Sequence, residues 1–197
     1  SGYSCYLPRT CGTAAGIGDF PIVDASEGHE DRYVNGEWVR PDVVVVWGSE
    51  PLKSNADGYL GHWLVACMQQ GTEFVCIDPQ LTWIASKSKY WLRLRPGTDA
   101  ALACAWLNVI INEDLYDHDF VEYWCYGFDQ LAERVQEYPV DKVAEITWIP
   151  AEKIVAAAHL LAESKPATLQ WGLAIDMTRE AIPAGQAIAA LFQITGN

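Results

Sequence analysis

"RPDVVVVWGSEP", residues 40–51, decides the fold. Val43 to Trp47 is an unbroken apolar run. A strand with one wet face alternates, whereas a strand covered on both faces of a parallel sheet does not. Gly48-Ser49 ends the run with turn residues. Downstream, Leu60, Trp63, Leu64, Cys67 and Met68 recur at helical spacing and make one apolar face. Ser54 or Asn55 is placed to cap that helix and Gly71 to close it. A second strand, Glu73 to Ile77, then stops at Asp78-Pro79.

The rest of the chain repeats this grammar. "YWLRLR" (90–95) sets Leu92 and Leu94 against Arg93 and Arg95, as a third and more exposed strand. Residues 96–113 form a helix with Thr98 as N-cap and Asp99 in the first turn, where the helix dipole favours an anion. Leu102, Trp106, Val109 and Ile110 are its buried stripe. Residues 117–124, 128–138 and 150–164 are further helices; in the last, Pro150 takes the first position and Ile154, Ala158 and Leu161 face inward. "ATLQWG" (167–172) is a fourth strand and 183–194 a closing helix. The alternation predicts an α/β fold: Rossmann-like, doubly wound, with a mainly parallel sheet and helices on both faces. This domain is expected over 41–197. Residues 1–40 lack periodicity and read as a loop-rich segment.

Composition narrows the function. Half the residues are hydrophobic, enough for a sizeable core, which argues against disorder by composition. A net charge of −13 argues against general binding to nucleic acid or anionic membrane surfaces. No apolar stretch reaches the length of a transmembrane helix. The six cysteines make no C-x-x-C pair, which argues against a structural zinc or iron–sulfur site built from this chain alone. Cys67, Cys76 and Cys104 lie in apolar runs and read as core residues. The start lacks Met and a signal pattern, and the end follows directly on a helical run, so a piece of a longer protein is expected.

Ligands of open parallel sheets sit beyond the carboxyl ends of the strands. Gly48 and Ser49 offer backbone N–H groups suited to a diphosphate, and a plain turn is the other reading. Asp78 is placed to accept from a ribose diol, and Asp-Pro is also a common turn initiator. A carboxylate at Asp99 suits the N1–H and exocyclic amine of guanine, or only the helix dipole.

In combination these stretches resemble the molybdopterin oxidoreductase family. They are "VVVVWGSEP" (43–51), "IDPQLT" (77–82), "LRLRPGTDAALACAWLNVIINEDLYDHDFVEYW" (92–124), "GFDQLAERV" (127–135), "ITWIPAEKIVAAAHLLA" (146–162) and "ITGN" (194–197). The resemblance implies a domain for the guanosine half of one molybdopterin guanine dinucleotide, in an enzyme carrying molybdenum or tungsten on two such cofactors. It implies Asp78 on the ribose, Asp99 on the guanine, and Gly48, Ser49 and Thr82 near the diphosphate or ribose. Trp47, Glu50, Pro79, Gly97 and Thr98 complete the candidate cofactor set. Gly172, after the fourth strand, either approaches the pterin or makes a turn. Two residues depart from the family pattern: Glu50 stands where Asn is common, and Gln80 where Arg is common.

"PRTCGTAAGIGDF" (8–20) resembles the family's metal-ligand segment. It makes Cys11 the candidate metal ligand and catalytic residue, with Cys5 as competitor; a thiolate is a suitable soft ligand and Arg9 would lower its pKa. An iron–sulfur cluster, the remaining domains and an electron-transfer subunit are expected outside this chain. The chemistry implied is oxygen-atom or hydroxyl transfer, or hydration without net redox change. The compartment stays open between prokaryotic cytoplasm and cell envelope. A non-catalytic nucleotide-binding module on the same sheet is the alternative. A hydrolase would need a placed nucleophile, and no G-x-S-x-G occurs.

Overall fold

The computed structural model describes the backbone of residues 33–34 and 37–38, and residues 40–54 and 59–197. Cys5, Arg9, Cys11 and His29, with most of the 1–40 segment and the Asn55 cap candidate, lie outside the described residues. Where a loop is expected, two short strands pair antiparallel: β1 (Tyr33–Val34) with β2 (Glu37–Trp38). They flank Asn35-Gly36, a dipeptide favoured in hairpin turns.

The main sheet holds β3 (Val43–Trp47), β4 (Glu73–Ile77), β5 (Tyr90–Leu92) and β6 (Ala167–Trp171). All pairings are parallel, in the order β5-β4-β3-β6. Alternate residues of the apolar runs serve opposite faces. Val44, Val46, Phe74 and Cys76 pack under α2 (Tyr59–Gln69) and α3 (Trp83–Lys87), through Leu60, Leu64, Cys67, Ile84 and Ala85. Val43, Val45, Trp47, Val75, Ile77 and Leu92 pack on the other face. There the central element is α4 (Asp99–Asn112), with α6 (Phe128–Val135), α7 (Val140–Thr147), α8 (Ala151–Glu163) and α10 (Ala181–Ile194) against it. Covering both faces is what an unbroken VVVVW run requires. Among the described residues no helix is long and apolar enough to cross a membrane.

Short helices that the periodicity does not signal complete the chain. They are α1 (Pro51–Ser54) and α9 (Leu173–Asp176); α5 (His118–Trp124) falls within the expected 117–124. The α7 helix was likewise not signalled by the pattern. The β5 ladder stops at Leu92, short of the expected Arg95. Leu92 and Leu94 are still buried as the alternation requires. The ladder ends because Leu94 N–H donates to Leu92 O and Arg95 N–H to Thr147 O, which turns the chain away from β4. Thr98 occupies the N-cap position of α4, but its hydroxyl donates to Arg95 O instead of accepting from the helix. Pro150 is the N-cap of α8 and not its first helical residue.

Candidate nucleotide site at the strand ends

β3 leads to α1 and α2 on one face, whereas β6 leads to α9 and α10 on the other. Neighbouring strands whose loops diverge to opposite faces open a crevice at their carboxyl ends. This places the switch point between β3 and β6, at Gly48-Ser49 and Gly172.

The two loops meet closely there. Gly48 N–H donates to Ile77 O at 2.8 Å and Gly172 N–H to Trp47 O at 3.1 Å, so both continue the sheet's hydrogen bonding. Gly48 has φ +58°, a left-handed conformation that favours glycine. A Cβ on Gly172 would lie 2.5 Å from Gly48 O and 2.9 Å from Ser49 Cβ. The absence of a side chain at Gly172 is therefore used by the loop beside it.

At the end of β4, Asp78 Oδ1 accepts from Gln80 N–H at 2.7 Å, the turn that Asp-Pro favours. Pro79 is exposed on that turn. Burial pushes the Asp78 carboxyl above the usual range, against the Gln80 hydrogen bond. Thr82 caps α3 by accepting from Ala85 N–H at 3.0 Å. Burial also pushes the Cys76 thiol up to about 12, with Asp78 and Glu50 adding to the effect, so Cys76 is an inert core residue. Glu50 is unusual: both carboxylate oxygens are buried without a hydrogen-bond partner among the described residues. A buried polar group in that state asks for an explanation.

Trp47 and Asp99 are brought together by the fold. Trp47 is fully buried, and its indole N–H donates to Asp99 Oδ1 at 2.9 Å. Asp99 is itself only 8% exposed. Burial raises its pKa, opposed by the Trp47 bond and by the backbone N–H groups of Asp99 and Gly97. The carboxylate thus ties the end of β3 to the start of α4. Gly97, at φ +82°, has open space where a Cβ would project.

Two residues near this turn carry no signal in the candidate set above. Arg95 places its guanidinium 5.2 Å from the ring centroid of Trp148. Trp148 closes α7 in the left-handed region, at φ +66°. The clue in the sequence is "TWIP" (147–150): a helix ends before Pro150 with no glycine to take the closing turn. Of the other tryptophans, Trp106 is buried and packs edge-on to Trp47, whereas Trp83 and Trp124 are exposed.

The molybdopterin oxidoreductase family profile matches residues 10–197. The chain belongs to the molybdopterin oxidoreductase family. It is 47% identical over 134 residues to acetylene hydratase of Syntrophotalea acetylenica, a match covering 68% of this chain and 18% of that protein. The molybdopterin-containing subunit of a thiosulfate reductase from Salmonella typhimurium is 35% identical over 137 residues, covering 69% of this chain and 18% of its own length. Among solved structures, acetylene hydratase from Pelobacter acetylenicus superposes with a TM-score of 0.76 at 42% identity, covering 80% of this chain and 22% of the other. The chain thus spans about a fifth of the length of these relatives.

Proposed function

We propose that this chain forms the part of a molybdenum or tungsten enzyme that holds the guanosine half of a molybdopterin guanine dinucleotide. The observation that carries this reading is the β3/β6 switch point, with glycine turns and carboxylates gathered at the strand ends of a family member. The residues fit the group. Among the described residues Glu50 has two buried acceptors without partners, and Asp78 commits one oxygen to Gln80 N–H. Such acceptors suit the hydroxyl-rich ribose, whereas a diphosphate would be repelled by them and belongs against backbone N–H groups. Trp47 and Asp99 act together as the buried support of the site. Asp99 meets guanine only through the part of its carboxylate that Trp47 leaves open.

The cofactor, when bound, supplies the metal-centred chemistry, and this chain positions and tunes it. Cys11 is the proposed metal ligand. Residues 1–40 are the segment that carries it, and 41–197 are the nucleotide-binding domain. The whole protein's activity is hydration or a redox reaction, as the names of its relatives span both. Further domains, an iron–sulfur cluster and an electron-transfer partner belong to the rest of that enzyme. The test is metal and nucleotide analysis of the full-length protein, expressed with cofactor biosynthesis intact. Molybdenum or tungsten together with releasable guanine nucleotide is expected; absence of both metals refutes the proposal.

A further inference from the structure

Trp148 is held in a conformation that its side chain disfavours. At φ +66° a bulky residue occupies the place where glycine ordinarily ends a helix. Core packing does not offset this, because Trp148 is 68% exposed. Its position is nevertheless fixed. Its N–H donates to Ala144 O at 2.9 Å, and the adjoining Thr147 O accepts from Arg95 N–H at 2.8 Å. The second bond pins the indole beside the end of β5. The Arg95 guanidinium lies over the ring, and among the described residues it has no carboxylate partner although the chain's net charge is −13. Thr98 Oγ1 donates to Arg95 O at 2.6 Å, which holds the turn, and the open space at Gly97 lies two residues on.

We infer that Arg95 and Trp148 form the base-recognition pair of the nucleotide site. The Trp148 indole stacks against the purine, and the Arg95 guanidinium donates to its acceptor edge, N7 and O6 of guanine. This inference rests on the guanine-dinucleotide reading above. Stacking alone tolerates any base, because every base has a π face. Arg95 adds selection: a two-point donor fits N7 and O6 of guanine, whereas adenine places an amine donor at the second position. Asp99 Oδ1 is committed to Trp47, which leaves its other oxygen for the N1–H edge of the base, and Arg95 is an exposed donor at the same strand end for the opposite edge.

The experiment uses the full-length enzyme and measures guanine nucleotide released per metal after prolonged gel filtration. Trp148→Gly and Arg95→Ala are expected to retain about tenfold less nucleotide than the wild type, the size of a lost base stack or two-point contact. Trp148→Phe should restore most of it. Arg95→Lys should not, because an ammonium is a single point donor. Cofactor-free Trp148→Gly should unfold at the wild-type midpoint or above, since glycine relieves the left-handed strain. Wild-type nucleotide content in both Trp148→Gly and Arg95→Ala overturns the inference. So does a lowered midpoint in cofactor-free Trp148→Gly, which would make the indole a structural element. Full retention by Arg95→Lys with loss in Arg95→Ala also overturns it, placing the cation on a phosphate. A wild-type enzyme that holds metal but no guanine nucleotide removes the underlying reading itself.

Discussion

Replacing Gly172 by Ala tests the switch-point geometry directly. Gly172 has φ −131° and ψ −179°, an extended backbone that alanine adopts without strain, so any penalty is steric. The new Cβ would stand 2.5 Å from Gly48 O, 2.9 Å from Ser49 Cβ and 3.0 Å from Ser49 Cα. None of these atoms moves by a change of rotamer. Ordinary carbon contacts need about 3.5 Å or more, so the two loops must part by roughly half an ångström or more. Both loops are fastened to the sheet by the Gly48–Ile77 and Gly172–Trp47 hydrogen bonds, and parting them strains those rungs. Overpacking costs about 1–3 kcal/mol, and contact with backbone places this case near the upper end. At roughly 2–4 °C per kcal/mol, the thermal midpoint should fall by about 6–12 °C. Gly97→Ala is the control: nothing lies within 4 Å of the new Cβ, so only the left-handed backbone at φ +82° is penalised. That costs about 1–2 kcal/mol, a fall of roughly 2–8 °C. Circular dichroism melts of the two variants side by side decide the matter. A Gly172→Ala protein that melts with the wild type would refute the close loop contact.

Three further outcomes follow from the same geometry. Asp99→Asn keeps an acceptor for the Trp47 indole and removes a buried charge. Because burial raises the Asp99 pKa, its contribution to stability is present at acid pH and is lost as pH rises through the raised value. The variant should therefore gain on the wild type at neutral pH and lose that advantage below the ordinary carboxylate range; a constant difference in denaturant midpoint across pH would contradict this. Glu50→Met replaces the unpartnered carboxylate and should raise the denaturation free energy of the ligand-free chain by about 1–3 kcal/mol, with an unchanged or lower value counting against the burial argument. Alkylation at mildly alkaline pH should modify Cys125, which is only partly buried, before Cys76, whose thiol is pushed up to about 12. Peptide mapping showing the reverse order would be inconsistent with the packing of Cys76 under α3.

The strands were legible because burial on both faces writes itself as an unbroken apolar run. Val43–Trp47 and Glu73–Ile77 have in the structure the bounds that the pattern assigns. The helices α2, α4 and α8 were legible through apolar residues at helical spacing, and Leu60, Leu64, Leu102, Trp106, Ile154 and Leu161 are all buried. The short helices α1 and α9 were not, because four residues are too few to carry a period. The same limit separates the parts of the site. Local sequence placed Gly48, Asp78, Asp99 and Gly172 at strand ends, and nothing local could say what each side chain or missing side chain meets.

The order of the strands and the partners of the site residues were decided only by tertiary structure. β3 pairs with β6 through Trp47 and Trp171, which puts the crevice between them. Asp99 reaches Trp47 across 52 residues, and Gly172 makes room for Gly48. Arg95 meets Trp148 through a backbone bond to Thr147. Contacts of this kind join residues far apart in the chain and impose no repeat on either segment. By itself the sequence determined which segments are strands and helices and which faces they bury, because a period survives in a short window. Which carboxylate is committed and which cation stays open depends on side chains that only the folded sheet brings within hydrogen-bonding reach.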